Sequence, residues 1–247
     1  MVEVKPLLAR ALKKAAVALE NDAPAVLAVV RTCTICGYVG PFRRTGAHAR
    51  SDGACPSCKS MERHRQLKLM LDRLEMNELG RTLHFAPESW LRPILRERSS
   101  DYVTTDYIRD DVDLKLNIEA LDLESDSFDT ILCSHVLEHV DDRKALAELF
   151  RVLRPGGLAI LAVPIIEGWD KTYEDPSITS PLARRINFGQ DDHVRVYGRD
   201  FRDRVRAAGF TLREFSADGM DTVKYGLARG ARIFLAYRPR PEPDTLA

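Results

Sequence analysis

The sequence predicts an α/β fold built around a doubly wound sheet, and residues 128–163 provide the clearest evidence. Residues 128–134 and 158–163 are short apolar runs of the kind that form strands buried on both faces. Between them, apolar side chains recur at the spacing of an amphipathic helix, at Leu146, Leu149, Phe150 and Leu153. Pro155-Gly156-Gly157 is predicted to stop this helix, and Asp141 or Asp142 to cap its start. A β-α-β unit of this order has a right-handed crossover and parallel strands.

Similar alternation extends along most of the 247 residues. An N-terminal helix is predicted over residues 6–20, and a second helix is indicated by Leu67, Met70, Leu71 and Leu74. The further strands are predicted at residues 81–86, 102–106, 113–116, 210–215 and 232–237. Helices fill most of the intervals, which favours a doubly wound sheet. The tail from residue 239 is rich in proline and is predicted to be loose.

Composition narrows the class of protein. Hydrophobic residues make up 45% of the chain, and 37 basic residues balance 37 acidic ones. The net charge of zero gives no general argument for binding nucleic acid or an anionic membrane. No apolar run reaches the roughly eighteen residues of a membrane span, and charged residues interrupt the N-terminus, so no secretory signal is predicted. We therefore expect a soluble cytoplasmic protein with no membrane partner.

Four of the five cysteines form two C-x2-C pairs, Cys33 with Cys36 and Cys55 with Cys58, separated by eighteen residues. This spacing is typical of a zinc site in which each pair supplies two thiolates to a tetrahedron. The alternatives are two disulfides, which a reducing compartment disfavours, and reduced cysteines without metal. Four protein ligands leave no open position, so the predicted role of zinc is folding rather than catalysis. The fifth cysteine, Cys133, is predicted to be a reduced core residue.

The segment around these cysteines is locally basic. Only Asp52 and Glu62 oppose its basic side chains, which are Arg31, Arg43, Arg44, Arg50, Lys59, Arg63 and Arg65. A solvated surface is the simpler interpretation, and a docking face for RNA or a phosphate-bearing substrate is the alternative. Few aromatic residues interleave with these charges, which weighs against single-stranded RNA. His48 and His64 are predicted to be solvated rather than metal ligands.

The order of strand, "LEH" turn and "L-x-PGG" break within residues 128–164 resembles the fourth and fifth strands of class I S-adenosylmethionine (SAM)-dependent methyltransferases. The "HFAPE", "T-x-E-D" and "DHVR-x-YG" segments resemble a subgroup with an N-terminal four-cysteine zinc module. The resemblance implies a Rossmann-like, seven-stranded sheet whose last strand is antiparallel. We place the domains at residues 1–30 (helical segment), 31–66 (zinc module), 67–238 (methyltransferase, with a substrate-covering insertion at 165–199) and 239–247 (tail).

The residues of a SAM site follow from this resemblance, position by position. The family has an acid and a glycine-rich loop after its first strand, whereas this chain has His84 at the acid position. The loop itself contains Phe85, Ala86, Pro87 and Glu88, with alanine and glutamate at two glycine positions. Glu88 is expected near the ammonium group of the cofactor.

Asp106 matches the acid that accepts hydrogen bonds from the ribose hydroxyls. The other positions implied to contact the cofactor or the methyl-transfer cavity are Tyr107, Asn117, Ile118, Ser134 and His135. His139 is expected to be structural.

Segment 165–199 is too long for a simple connection, and we expect it to cover the substrate pocket. His193 is the predicted catalytic base, because the ordinary pKa of histidine lies near neutrality. The alternative is that His193 pins the segment by hydrogen bonds to Asp191 or Asp192. Arginine suits a carboxylate or phosphate on the acceptor, and acids suit an amine; the predicted substrate residues are Tyr173, Glu174, Asp175, Arg195 and Tyr197.

Together these features predict a SAM-dependent methyltransferase with a structural zinc ion, acting on a small or medium-sized metabolite such as a saccharide or natural-product intermediate. A zinc-bearing RNA methyltransferase is one alternative, favoured by the basic module. A non-catalytic SAM-binding adaptor is the other, favoured by the altered glycine loop.

Overall fold

The computed structural model describes residues 29–45 and 50–241. Within these ranges the chain forms two compact units, one from residues 29–69 and 217–229 and the other from residues 70–216 and 230–241. The predicted helix at 6–20, His48 and most of the predicted tail lie outside the described residues. Residues 217–229 belong to the unit that contains the four paired cysteines, whereas the sequence analysis placed them in the domain at 67–238.

The elements in chain order are β1 (Arg31–Thr32), β2 (Val39–Gly40), β3 (Arg43–Thr45), β4 (Arg50–Ala54), α1 (Glu62–Arg73), β5 (Gly80–Phe85), α2 (Arg92–Arg98), β6 (Ser99–Asp106), β7 (Leu114–Lys115), β8 (Phe128–Ser134), α3 (Asp142–Val152), β9 (Leu153–Ala162), β10 (Tyr173–Glu174), α4 (Pro181–Phe188), β11 (Arg195–Val196), α5 (Phe201–Ala207), β12 (Thr211–Phe215), α6 (Gly219–Tyr225) and β13 (Ile233–Tyr237). A 3₁₀ turn, Leu137–His139, lies between β8 and α3.

The first unit contains two short antiparallel strand pairs and helical segments. β1 pairs with β2, and β3 pairs with β4. The first part of α1 belongs to this unit, and so does α6, which packs against β1. Cys33, Phe42 and Cys55 form a buried cluster here. Thiols of the predicted zinc site are therefore part of the interior of this unit.

The second unit is built on a seven-stranded sheet of order β12-β13-β9-β8-β5-β6-β7. Strands β5 to β9 pair in parallel, and β13 runs antiparallel to both of its neighbours. The predicted doubly wound sheet with an antiparallel last strand is confirmed. The chain proceeds outward from β5 through β6 in one direction and through β8 in the other. In such sheets, ligands bind where the order reverses, at the carboxyl ends of the strands.

The β-α-β unit at 128–163 differs from its prediction at one point. β8 has the predicted limits, and Asp141 caps α3 by accepting hydrogen bonds from the backbone nitrogens of residues 143 and 144. The helix, however, ends at Val152, and Pro155-Gly156-Gly157 lies inside β9. Leu153 already pairs with Phe128, and regular pairing resumes between Thr130 and Leu158. The predicted break is therefore an irregularity within the strand, because pairing on both sides of it holds the chain in the sheet.

The core of the second unit lies between the sheet and its helices. α3 buries the predicted apolar stripe, including Leu146 and Leu149, against it. Cys133 is fully buried in β8, and its thiol is free. Burial raises the pKa of this thiol. Among the helices of the described residues, none is both long and apolar enough to cross a membrane.

Candidate functional site

The candidate site lies at the carboxyl ends of β5, β6 and β8. β5 pairs in parallel with β6 on one side and with β8 on the other, so the three strands end at the same edge of the sheet. Residues 85–88, Asp106 with Tyr107, and Ser134 with His135 occupy these three ends. The structure therefore brings three of the predicted groups for SAM to one edge.

The backbone is left-handed at two of these strand ends. Ala86 has a φ of 46° and His135 a φ of 55°. Hydrogen bonds from the Ala86 nitrogen to the Thr105 carbonyl and from the His135 nitrogen to the Ala162 carbonyl hold both residues in place. The left-handed conformation costs a residue other than glycine about 1–2 kcal/mol. Ala86 thus keeps the conformation that suits the glycine of the family motif, and strain of this kind clusters at functional sites.

Arg109 joins the loop after β6 to the loop after β5. Asp106 Oδ1 accepts hydrogen bonds from the backbone nitrogens of Ile108 at 2.8 Å and Arg109 at 3.0 Å. The Arg109 guanidinium donates to the Pro87 carbonyl at 2.9 Å. Asp106 therefore orders its own loop through one oxygen, and a carboxylate has capacity for further donors through the other. Sequence reasoning missed Arg109, because no motif marks it.

The remaining predicted cofactor residues differ in exposure. Phe85 and Ile118 are buried in the core, so at Phe85 only the backbone can face a ligand. Tyr107 is 72% exposed. Asn117 is exposed, and its side-chain oxygen accepts from the Glu119 backbone nitrogen. Tyr107 and Asn117 are thus open to a ligand, whereas Phe85 and Ile118 support the site by packing.

The turn after β8 and segment 165–199 bring Glu138, His139 and His193 together. One potential ligand atom from each residue lies within 4.8 Å of the others. The rings of the two histidines meet edge to face, with centroids 4.6 Å apart. The Val194 nitrogen donates to the Glu138 carbonyl, so segment 165–199 crosses the turn as expected for a covering segment. Glu138 was not considered from the sequence, although the "LEH" turn contains it.

His193 is 5% exposed, and its Nε2 is buried without a hydrogen-bond partner among the described residues. The partners proposed for it from the sequence have other contacts: Asp191 pairs with Arg185, and Asp192 lies 3.3 Å from His139 Nδ1. Burial, reinforced by His139, lowers the pKa of His193 below its ordinary value. The imidazole is therefore neutral at pH 7, a form that can accept a proton or bind a cation.

Arg195 and Tyr197 are predicted substrate residues whose polar atoms the fold already uses. Arg195 donates to the Glu174 carboxylate at 3.0 Å and to the Leu137 carbonyl at 2.9 Å. Tyr197 is fully buried, and its hydroxyl oxygen lies 3.0 Å from both the Leu137 carbonyl oxygen and the Asp142 carboxylate, either of which can accept its proton. These contacts tie segment 165–199 to the turn and to α3. They argue against the predicted contacts of Arg195, Glu174 and Tyr197 with an acceptor.

Tyr173 and Asp175 are the remaining predicted substrate residues. Tyr173 is 39% exposed, lies in the β10–β11 pair opposite Val196 and contacts the Phe188 ring. Asp175 Oδ1 accepts hydrogen bonds from the backbone nitrogen and the hydroxyl of Ser177. Asp175 thus stabilises a turn, and Tyr173 is the member of the predicted set whose ring remains open to a ligand.

The four paired cysteines of the first unit have the geometry of a tetrahedral metal site. Their sulfur atoms all lie within 4.8 Å of one another, with Cys33 and Cys58 at 3.7 Å and Cys36 and Cys55 at 3.7 Å. A tetrahedron with zinc–sulfur bonds of about 2.3 Å has edges of about 3.8 Å. All four are free thiols, so the alternative of two disulfides is not what the structure has.

The two C-x2-C pairs share one backbone pattern. The Gly37 nitrogen donates to the Cys33 carbonyl, and the Lys59 nitrogen donates to the Cys55 carbonyl in the same way. Gly37 has a φ of 74° and Lys59 a φ of 65°, so both turns close through a left-handed residue. The Ser60 hydroxyl contacts two of the sulfur atoms, at 3.3 Å and 3.1 Å. Two equivalent turns therefore present the thiols to a common centre.

Two residues that were predicted to be solvated are instead buried in this unit. Arg65 is fully buried, lies over the Phe42 ring and donates to the carbonyls of Ser60, Tyr225 and Gly226. His64 is fully buried, and its Nδ1 accepts from the Met61 nitrogen. Both predictions are wrong, because backbone groups of the unit satisfy these side chains. Arg31 is also buried, and among the basic residues whose side-chain burial the structure describes, Arg43, Arg44, Lys59 and Arg63 are exposed.

Comparison with known proteins gives a family match within the second unit. Residues 94–161 match a family described as a methyltransferase domain. A Streptomyces fradiae protein, described as an uncharacterized 37.1 kDa protein in transposon TN4556, is 35% identical over 99 residues, which cover 39% of this chain and 28% of that protein. The ubiquinone/menaquinone biosynthesis C-methyltransferase UbiE of Escherichia coli O1:K1 is 40% identical over 65 residues, which cover 25% of this chain and 26% of that protein. The chain thus spans about a quarter of the length of these curated relatives.

A solved structure shows the same fold. The YcgJ protein from Bacillus subtilis superposes with a TM-score of 0.51 at 17% sequence identity. The superposition covers 72% of this chain and all of that one.

Proposed function

We propose that this chain, which carries a class I SAM-dependent methyltransferase domain, transfers the methyl group of SAM to a small or medium-sized metabolite. The observation that supports the proposal is that Asp106, the 86–88 loop and the turn after β8 follow neighbouring strand ends at one edge of the sheet, and that segment 165–199 contacts this turn where Glu138, His139 and His193 meet. Methyl transfer from a sulfonium is an in-line displacement that requires aligned reactants and a dry site. A covering segment held by buried polar contacts suits both requirements.

The strand ends suggest how SAM is held. Asp106 accepts hydrogen bonds from the ribose hydroxyls, and Glu88 pairs with the ammonium group beside the left-handed backbone of Ala86. Tyr107 and Asn117, both exposed, contact the adenine. His135, half-buried at the end of β8, faces the transferred methyl group.

The acceptor is activated at the Glu138–His139–His193 group. His193 is neutral at pH 7, and its Nε2 is buried without a hydrogen-bond partner among the described residues. An acceptor hydroxyl must lose its proton during transfer, and this group offers proton-accepting atoms directly after the end of β8. Tyr173 orients the acceptor with its exposed ring.

A small acceptor is favoured over RNA. Arg31 and Arg65, two of the seven basic side chains that suggested an RNA surface, are buried in the first unit. Each phosphate contact of a nucleic-acid complex needs an exposed cation, so the surface is weaker than its composition suggests. The four cysteines hold a structural zinc ion, since the sulfur spacing matches that of a zinc tetrahedron.

Substitution of Asp106 tests the cofactor site. Asp106→Ala should weaken the binding of S-adenosylhomocysteine about 10- to 100-fold, since hydrogen bonds to a charged acceptor are worth about 1.5–3 kcal/mol. Asp106→Asn keeps a side-chain oxygen that can accept hydrogen bonds from the nitrogens of Ile108 and Arg109. The affinity that this variant loses therefore measures the effect of the charge alone. Asp101→Asn, at the other end of β6, is the matched control and should bind normally. Wild-type affinity of Asp106→Ala in calorimetry would refute the assigned ribose contact.

The class of acceptor can be tested directly. Incubation of the protein with methyl-labelled SAM and a fractionated cell extract should place the label in the small-molecule fraction. Label in the RNA fraction would support the RNA methyltransferase instead. Normal binding of S-adenosylhomocysteine without transfer to any fraction would support the adaptor.

A further inference from the structure

The group of Glu138, His139 and His193 has a composition that proton transfer alone does not require. We infer that these three residues bind a divalent transition-metal ion, distinct from the ion of the four cysteines, and that the ion binds the methyl acceptor. The ion site stands on geometry alone, and its role toward an acceptor rests on the proposed function.

The ligand atoms are close enough to share an ion. They lie within 4.8 Å of one another. Metal–ligand bonds of about 2.1 Å allow two ligand atoms of one ion to be at most about 4.2 Å apart. Binding would therefore draw the side chains together by less than the length of one bond, which rotation of side chains can provide.

Buried atoms without partners point to something that the protein alone does not supply. Glu138 is 1% exposed and His193 is 5% exposed. Glu138 Oε2 and His193 Nε2 are buried, and within residues 29–45 and 50–241 neither has a hydrogen-bond partner. A buried carboxylate oxygen without a donor is costly. A cation between these two atoms would remove that cost at both.

The outer contacts of the three side chains are those of metal ligands. His193 Nε2 makes no hydrogen bond to any described residue, which leaves this nitrogen for an ion. His139 Nδ1 lies 3.3 Å from the Asp192 carboxylate, and His135 Nδ1 lies 3.2 Å from Glu138 Oε1. Metal-binding histidines characteristically give their second nitrogen to a carboxylate or a backbone carbonyl, which fixes the ring.

Two imidazoles and one carboxylate favour zinc, iron(II), cobalt(II) or manganese(II) over calcium or magnesium. Three protein ligands leave positions open, unlike the closed site of four cysteines. The group directly follows the carboxyl end of β8, where the acceptor is proposed to bind. An acceptor oxygen bound to the ion would lose its proton more readily, as metal-bound water does.

With the acceptor bound to the ion, methyl transfer does not require His193 to act as the base. The proton of the acceptor hydroxyl passes to water. A bond forms between the acceptor oxygen and the methyl carbon, the bond from that carbon to sulfur breaks, and its electron pair stays on sulfur. The products are a methyl ether and S-adenosylhomocysteine. His193, predicted from the sequence to be the base, is in this scheme a metal ligand.

Cobalt(II) uptake by the full chain tests the inference. Metal-free protein is first given one equivalent of zinc, which fills the tighter four-cysteine site, and is then titrated with cobalt(II) in the absence of SAM. The expected result is one further equivalent bound, with a visible d–d spectrum and no sulfur-to-cobalt charge-transfer band. His139→Ala and the more conservative Glu138→Gln should each weaken this uptake at least about 10-fold.

Matched controls separate the two ions and the two proposals. Cys36→Ser should alter the charge-transfer band of protein loaded with cobalt alone, and should leave the d–d spectrum of the second ion. His139→Ala should bind S-adenosylhomocysteine normally, which shows that it is folded. Absence of a second equivalent in wild-type protein, or unchanged uptake in both variants, would overturn the metal site and leave methyl transfer standing. A bound second ion without any methyl transfer would count against the proposed function alone.

Discussion

His84 stands where the methyltransferase family has an acid. Its side chain is 1% exposed in β5, and its Nδ1 lies 2.7 Å from the Tyr102 hydroxyl. Burial lowers the pKa of His84 to about 3; Glu88 opposes the shift, and two nearby arginines add to it. His84 is therefore neutral at pH 7, and the strand contributes no charge to the site at this position. Glu88 is then the nearby carboxylate that can replace the missing acid.

His84 should make the protein sensitive to mild acid. The unfolded imidazole takes up a proton with a pKa of 6.5, whereas the folded one excludes it down to about pH 3, so stability is lost as the pH falls through this window. For one such group the loss between pH 7 and pH 5 is about 2 kcal/mol. His84→Asn does not titrate, so its free energy of unfolding should fall about 2 kcal/mol less over the same interval.

Denaturant unfolding of both proteins at the two pH values measures this difference. Other titrating groups are common to the two proteins and cancel in the comparison. Equal losses in wild type and His84→Asn would mean that the folded protein protonates His84 as easily as the unfolded chain does.

At the residue scale, the sequence predicted which residues occupy motif positions better than it predicted which side chains are buried. The motif placed Ala86 at a glycine position, and the left-handed φ of 46° agrees with that. The burial of Arg65 was not predictable, since arginine is usually exposed and two of its carbonyl partners, Tyr225 and Gly226, are 160 and 161 residues away. Spacing within a motif is local information, whereas burial depends on contacts that only the folded chain makes.

At the scale of elements, segment 165–199 is held by a buried polar network around Asp142. This first residue of α3 is 1% exposed, and its carboxylate accepts from the Tyr197 hydroxyl at 3.0 Å and from Arg204 at 3.1 Å. Glu174 receives hydrogen bonds from both Arg195 and Arg204. The network joins β10 and β11 to α3 and α5. Segment 165–199 is thus anchored to the second unit at Glu174, Arg195 and Tyr197.

Tyr197→Phe should lower the stability of the protein without affecting cofactor binding. The change removes a buried hydroxyl that donates to a carboxylate, which costs about 1.5–3 kcal/mol. Tyr173→Phe, in the strand β10 that pairs with residues 195–196 but 39% exposed, is the control and should cost less than about 0.5 kcal/mol. Unfolding curves and calorimetry with S-adenosylhomocysteine provide the two measurements. A Tyr197→Phe protein of normal stability but reduced methyl transfer would restore the acceptor contact expected from the sequence.

The sequence predicted the strands of the sheet, whereas it did not predict the polar contacts within segment 165–199. Every predicted core strand appears, and the central ones, such as β8 and β13, are apolar runs that the sheet buries. For segment 165–199 the sequence predicted a cover but assigned Arg195 and Tyr197 to the substrate. Polar residues in a segment of this kind suit a ligand or a buried network equally. The contacts of Tyr197 with Leu137 and Asp142 span 60 and 55 residues, beyond any local pattern.

At the scale of the whole molecule, the chain leaves the sheet after β12 and returns to it at β13. The intervening residues 217–229 belong to the unit of the four cysteines. Within that unit a continuous set of contacts links the metal site to this segment: Ser60 touches two cysteine sulfurs, and Arg65 donates to the carbonyls of Ser60, Tyr225 and Gly226. Loss of the zinc ion proposed for the four cysteines should therefore also loosen residues 217–229.

Zinc removal should expose residues 217–229 to protease while leaving the sheet intact. Zinc binding supplies roughly 10 kcal/mol or more to small cysteine modules, so without it the turns at Cys33 and Cys55 should open and release Arg65. Trypsin should then cut after Lys224 and Arg229 much faster than in the zinc-loaded protein. Lys144, an exposed residue of α3 in the second unit, is the matched site and should stay protected.

Cys36→Ser should show the same cleavage pattern without a chelator. His139→Ala should not, because His139 is proposed to bind the second ion and not the zinc ion of the four cysteines. Mass spectrometry of timed digests gives the rates. If Lys224 and Arg229 are cut equally fast with and without zinc, the ion does not hold this segment; if Lys144 is released together with them, the two units do not unfold separately.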